Sequence, residues 1–216
     1  MASRRTGQMS TEIELKLLIA PKDARPLLRH PLITALTRQK FSPQRLLSIY
    51  YDTADCMLHK QRIILRLRRI GRHWIQTVET EGRVIAGLHE RPEWEYKTTK
   101  GTFVFHAIAD PILRELFADT HLQHALQPVF VTEFSRTRRM LELPSGDVVE
   151  CSLDRGEIRA GEDRLPICEV ELELKSGNPI RLSDLASQLQ KTLSLKQENV
   201  SKAERGYRLV CSRISQ

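Results

Sequence analysis

The sequence predicts an α+β, mainly β, fold: an antiparallel barrel or sandwich built as one domain over residues 11–210. Three observations lead there. Many short segments alternate in character with a period of two, the side-chain period of a strand. Turn residues separate these segments at close intervals. No low-complexity stretch or linker divides the chain, and 216 residues is an ordinary size for a single barrel.

The elements follow in order. Residues 1–10 carry Arg4 and Arg5 but no apolar core, so they are no secretory signal and are expected to form a disordered leader. Thr11–Ile19 (TEIELKLLI) alternates charged with apolar residues and reads as the first strand. Pro21–Thr37 has helical spacing of Leu27, Leu28, Leu32 and Leu36, with a break near Pro31. Strands are expected at Leu46–Asp52, Ile63–Arg69, His73–Thr80 and His89–Thr98. Ile108–His121 reads as helix, with Pro111 near its start, where proline is tolerated. Pro128–Leu143 contains two strand candidates, VFVTEF and RTRRMLEL, which read as two strands or as one long bent strand. Val148–Asp154 is the next strand, Glu157–Ala160 a short return strand after a turn at Gly156, and Ile167–Lys175 a further strand. Ser183–Leu193 reads as a helix with Ser183 and Asp184 as N-cap candidates, and residues 211–216 as a tail. The other turn signals are Gly71, Gly82, Gly87, Pro144-Ser145-Gly146, Gly161 and Gly177-Asn178-Pro179. The run from Glu12 to Lys16 echoes that from Glu169 to Lys175, which suggests two related halves facing each other across one lumen.

Composition narrows the function class. Hydrophobic residues make up 40% of the chain, enough for a core, and a formal charge of +7 favours an anionic partner. Cys56, Cys151, Cys168 and Cys211 have neither zinc nor disulfide spacing and read as free thiols in a reducing cytoplasm. No apolar run has the length of a membrane span, so no membrane partner is expected.

The charges are grouped by type along the strands. Glu12, Glu14 and Lys16 share a face, as do Arg66 and Arg68, Arg136 and Arg138, and Glu169, Glu171 and Glu173. Arg91, Glu93 and Glu95 share another, and Glu150 and Asp154 flank Ser152 on one more. Like charges on one strand repel and need compensation. Carboxylate clusters bind Mg²⁺ or Mn²⁺, and arginine pairs grip phosphate oxygens. The pattern therefore leaves two readings open: charge pairs across a solvated sheet face, or a lumen that holds a metal–polyphosphate complex. The interleaving of glutamate with arginine argues against nucleic acid as the partner.

The chain also resembles a known family. Glu12-Ile-Glu-Leu-Lys16 is similar to the E-x-E-x-K signature of the CYTH superfamily, the triphosphate tunnel metalloenzymes. Tyr50-Tyr51-Asp52-Thr53, Leu65-Arg-Leu-Arg68 and Gly87-Leu-His-Glu-Arg-Pro-Glu-Trp94 resemble further motifs in the same order, the last resembling that of bacterial inorganic triphosphatases. Cys168-Glu-Val-Glu-Leu-Glu-Leu174 resembles the second acidic strand and Ser201-Lys-Ala-Glu-Arg-Gly-Tyr207 the closing motif. The resemblance covers a single tunnel domain, and a stand-alone domain without the helical CHAD domain of many bacterial members is the expectation.

The resemblance implies a tunnel of eight antiparallel strands with a few flanking helices, and Mg²⁺- or Mn²⁺-dependent hydrolysis of inorganic triphosphate to diphosphate and phosphate. It implies that Lys16, Arg66, Arg68, Arg91, Arg136, Arg138, Lys202 and Arg205 hold phosphate. It implies Glu12, Glu14, Asp154, Glu169 and Glu171 as metal ligands, Glu93 as a further candidate, and Glu12, Glu14 and Lys16 as catalytic. The oligomeric expectation is a monomer or homodimer. One position departs from the family pattern: Gln76-Thr-Val-Glu-Thr80 carries Glu79 where the family has a lysine. Glu79 is expected to bind metal, to pair with Arg83 or Lys97, or to turn outward. That departure keeps a second function in view, a weakened triphosphate- or polyphosphate-binding module. Thiamine or nucleoside triphosphate hydrolysis and adenylyl cyclisation are further alternatives, with no convincing base pocket in the sequence. His89 is expected either to donate to phosphate or to play a structural part, and Trp74 and Trp94 to pack the barrel.

Overall fold

The computed structural model describes residues 9–99 and 101–214. Its strands are β1 (Met9–Ile19), β2 (Thr37–Lys40), β3 (Gln44–Asp52), β4 (Ile64–Ile70), β5 (His73–Glu79), β6 (Arg83–Ile85), β7 (Leu88–Thr98), β8 (Gln127–Glu142), β9 (Val148–Ala160), β10 (Asp163–Ser176) and β11 (Leu195–Gln197). Its helices are α1 (Ala24–Arg29), α2 (Pro31–Leu36), α3 (Met57–Lys60), α4 (Pro111–Ala118), α5 (Thr120–Ala125), α6 (Ile180–Gln190) and α7 (Lys202–Ile214). Eight strands close a barrel in the order β1-β10-β9-β8-β3-β4-β5-β7 and back to β1, each pair antiparallel. The short β2, β6 and β11 extend it at β8, β7 and β1. No helix among the described residues is long and apolar enough to cross a membrane.

The barrel is polar inside and apolar outside. On β1, Glu14 and Lys16 turn into the lumen, while Leu15 and Leu17 are buried against a cluster that joins the outer faces of β9 and β10 to α1, α2 and α6. On the opposite flank Leu65, Val78, Trp94 and Tyr96 pack under Leu58 of α3, Leu113 and Phe117 of α4, and Leu122 of α5. Alternation with period two sends every second residue to each face, so a charged lumen forces an apolar outer wall. The helices remove that wall from water.

A third cluster lies inside. Leu46, Tyr50, Phe130, Phe134 and Ile158 point inward at one end of the lumen, and α7 closes that end with Ala203 and Tyr207. Asp52 ties the plug in place. It accepts hydrogen bonds from the Leu58 and His59 amides at 2.8 and 2.9 Å and from the Tyr207 hydroxyl at 3.1 Å. The His59 ring stacks on Tyr207 at 4.0 Å and meets Glu204.

Several expectations change. The leader lies outside the described residues apart from Met9 and Ser10, whose backbone already pairs with Trp94 and Glu93 in β7. Residues 211–214 continue α7. The two echoing acidic runs do not face each other across the lumen: β1 and β10 are neighbours, with Lys16 opposite Glu171. The helix expected at Ser183 starts at Ile180 after Pro179, because that proline's fixed φ suits a helix start. Gly156 makes no turn. It lies within the unbroken β9, where a Cβ would stand 2.1 Å from the Glu133 carbonyl oxygen. β9 and β8 approach each other more closely there than any side chain permits.

Gly156→Ala is therefore expected to destabilise the barrel by roughly 1–3 kcal/mol. Urea unfolding followed by circular dichroism reads this directly, and an unchanged midpoint would contradict the close approach.

Candidate functional site in the barrel lumen

Six strands and one helix deliver charge to a single space. Residues Glu12, Glu14 and Lys16 come from β1, Arg66 and Arg68 from β4, Glu79 from β5, Arg91 from β7, Arg136 from β8, Glu171 from β10 and Lys202 from α7. All fourteen site candidates named from the sequence, Glu93 included, belong to this lumen or to the ion pairs that line it.

One wall centres on Arg91. Its Nη2 donates to Glu14 Oε1 at 2.9 Å and its Nη1 to Glu79 Oε2 at 3.0 Å, while Nε lies 3.5 Å from Glu12 Oε2. Arg66 Nη2 reaches Glu93 Oε1 at 2.9 Å and Glu79 Oε1 at 3.1 Å. The other wall centres on Lys202, whose Nζ is 2.7 Å from Asp154 Oδ2, 2.8 Å from Glu171 Oε1, and paired with Glu169. Arg136 forks onto Asp154 at 2.8 and 2.6 Å and also pairs with Glu171, and Arg205 pairs with Glu169. Lys16 bridges the walls, donating to Glu171 at 3.0 Å and pairing with Glu14.

Two arginines stand at the end of the lumen away from α7. Arg138 Nη1 lies 3.4 Å from Glu150, Nη2 donates to Gln44 Oε1 at 3.1 Å, and the guanidinium lies over the Phe41 ring at 4.6 Å. Arg68 donates from Nε to Ser48 Oγ at 3.0 Å, and among the described residues no ion pair reaches it. Because the cations and carboxylates grip one another, the free volume inside is only about 40 Å³.

The titrations follow from these contacts. Burial, with Glu14 and Glu93 nearby, pushes Glu12 well above the usual carboxylate range despite Arg91. Burial also acts on Glu14, but Lys16 and Arg91 outweigh it and hold Glu14 down at about 2. Glu171 is lowered against the effect of burial by Lys16, Lys202 and Arg136. Burial lowers Arg68, with Arg66 and Arg136 adding to the effect. Glu79 is lowered despite burial, held ionised by Arg66 and Arg91.

Glu79 thus faces the lumen, and its partners are Arg66 and Arg91 rather than Arg83 or Lys97. His89 plays the structural part: its Nε2 lies 3.0 Å from the Glu198 carbonyl oxygen, to which it donates. Trp94 packs in the outer core. Sequence reasoning missed Tyr50, Gln44 and Ser201. Tyr50 lines the lumen and stacks on Phe130 at 4.2 Å, and only its two-residue offset from Ser48 signals that it points inward. Ser201 opens the closing motif but carries no charge to single it out, and for Gln44 the pattern offered no signal.

A closed antiparallel barrel lined by matched acids and bases defines a charged tunnel domain. The CYTH domain profile matches residues 10–207, and the chain belongs to the CYTH family. It is 37% identical over 202 residues to an inorganic triphosphatase of Haemophilus influenzae, a match covering 93% of this chain and 55% of that protein. The chain thus spans about half the length of this relative. Its fold is similar to that of a Hippeastrum protein described as having a dominant triphosphatase activity (TM-score 0.61, 15% identity, 88% of this chain and 92% of that one). It is likewise similar to a Bacillus halodurans protein named as an adenylate cyclase (TM-score 0.57, 19% identity, 91% and 97%).

His89 supplies a pH prediction. Burial, together with Lys16, depresses its pKa to about 4 from the ordinary 6.5. The unfolded chain therefore binds a proton that the folded one excludes between those values. Stability is expected to fall as pH drops from about 6.5 to about 4, by an amount of order 1–3 kcal/mol. His89→Asn should flatten this dependence in urea titrations run across that window, and parallel curves for the two proteins would contradict it.

Proposed function

We propose that the chain is a divalent-metal-dependent inorganic triphosphatase that hydrolyses triphosphate to diphosphate and phosphate within the lumen. The observation that carries this reading is the placing of a three-carboxylate cage beside arginines that converge on the same closed space. Carboxylate oxygens of Asp154, Glu169 and Glu171 lie within 4.8 Å of one another and are buried. They already surround a cation, the Lys202 ammonium. A hard oxygen donor set built around positive charge fits Mg²⁺ or Mn²⁺. The identity with the Haemophilus triphosphatase supports the same activity.

The metal, when bound, neutralises phosphate charge and activates water. The remaining work falls to the protein. Among the described residues no ion pair holds Arg68, so it is the first cation free to take a phosphate oxygen. Arg136, Lys16 and Arg66 exchange internal carboxylates for phosphate oxygens as the chain advances toward α7. Their forks orient the terminal phosphate for in-line attack and stabilise the charge that spreads over its oxygens, so no covalent nucleophile is required. The apolar plug of Phe130, Phe134 and Tyr207 keeps water out of the closed end. Glu79 favours a second reading, a tunnel that binds polyphosphate without turning it over, since this buried carboxylate stands among the phosphate-binding arginines.

Phosphate release from inorganic triphosphate separates the two readings. It is expected with Mg²⁺ or Mn²⁺, to stop with EDTA, and to be lost in Glu171→Gln. Arg68→Ala is expected to raise KM by about 10- to 100-fold, the scale of one charged hydrogen bond. Triphosphate that raises Tm without phosphate release under either metal would sink the enzyme and leave the binding module.

A further inference from the structure

Glu79 bridges two strands that are not paired with each other in the sheet. It rises from β5, whose neighbours β4 and β7 carry Arg66 and Arg91. Its two oxygens are divided between them, Oε1 lying 3.1 Å from Arg66 Nη2 and Oε2 3.0 Å from Arg91 Nη1. Among the ion pairs of the described residues, no other carboxylate reaches both guanidiniums. The side chain is 4% exposed, so water does not share in this contact. Two guanidiniums held by two oxygens of one anion is also the geometry in which arginine pairs bind a phosphate group. Arg66 is not saturated: its buried Nε has no hydrogen-bond partner.

We propose that Glu79 is a specificity-determining residue, a resident anion that occupies the place between Arg66 and Arg91 which a phosphate group takes when ligand binds. The inference rests on the triphosphate reading and deepens it, because the exchange selects by chain length. A ligand that contacts only this wall replaces one anion by another and leaves a buried carboxylate without its two partners, which offsets the gain. A longer chain also reaches Arg68, Lys16 and Arg136 and recovers more than the exchange costs. Glu79 therefore disfavours short phosphates, including the diphosphate product, relative to triphosphate.

Calorimetry on the full chain with Mg²⁺ tests this, using the bridge-imido analogues of triphosphate and diphosphate, which resist hydrolysis. Wild type, Glu79→Gln and Glu79→Asp are compared. Wild type is expected to prefer the longer anion. Glu79→Gln should reduce that preference by about tenfold or more, mainly by tightening the diphosphate analogue, as removal of one charged contact would. Glu79→Asp keeps the charge and should keep the preference. Glu79→Ala is read in the same way if the glutamine variant does not fold. An unchanged preference in Glu79→Gln, equal weakening of both anions, or an aspartate variant that behaves like glutamine would each overturn the role of Glu79 and leave the triphosphate reading standing. A wild-type protein that binds neither anion would overturn both.

Discussion

A charge removed from water must be matched within the protein, and the architecture of this barrel follows from that constraint. The lumen holds Glu14, Lys16, Arg66, Glu79, Glu93, Asp154, Glu169, Glu171 and Lys202 at very low exposure. Each has an opposite charge at contact distance. Such pairs hold only if the walls stay in register, and closure of β1 onto β7 fixes that register around the whole circuit. The apolar outer wall and its helical cover are then consequences of the charged interior, reached through the two-residue period of each strand.

β1 and β10 show how the match is made. Side by side they set Glu14 opposite Glu173 and Lys16 opposite Glu171, with Glu169 one step further along. The carboxylates outnumber Lys16 and Lys175, the two lysines that these strands supply. Arg91 of β7 and Arg136 of β8 supply part of the balance, and α7 supplies the rest through Lys202 and Arg205. The same helix seats Tyr207 under Asp52 and packs Gly206 against the Phe130 ring. α7 thus completes the core and the charge balance together, and the barrel is electrically incomplete until this last element docks.

The barrel strands were legible because charged and apolar residues alternate along them, a period that neither a helix nor a loop produces. The helical run broken at Pro31 was legible for a local reason as well, since His30 caps α2 and Pro31 takes its first position. β2, β6 and β11 were not legible: each has three or four mostly exposed residues and exists by pairing to a longer strand, a tertiary cause that local sequence does not encode. Gly156 was misread because glycine serves turns and close strand contacts alike. Within the site the charged side chains were legible by type and spacing, but their pairings were not. Arg66 and Arg91 sit in motifs separate from that of Glu79 yet flank it in the sheet, and only the order β4-β5-β7 brings the three together.

Ligand binding in such a tunnel is an exchange. Most lumen cations already hold carboxylates, so a phosphate chain that takes them has to displace those partners. The cations then lose carboxylates and gain phosphate oxygens, and the net gain is the difference between two similar sums. Selectivity in an exchange of this kind lies in which internal pairs a ligand has to break. Arg68 offers a contact at no such cost, because no carboxylate among the described residues pairs with it. Arg66 and Arg91 offer theirs only against Glu79 and its neighbours. On the proposed triphosphate reading the two kinds of arginine divide the work, the first admitting an anion and the second testing whether the chain that follows is long enough to stay.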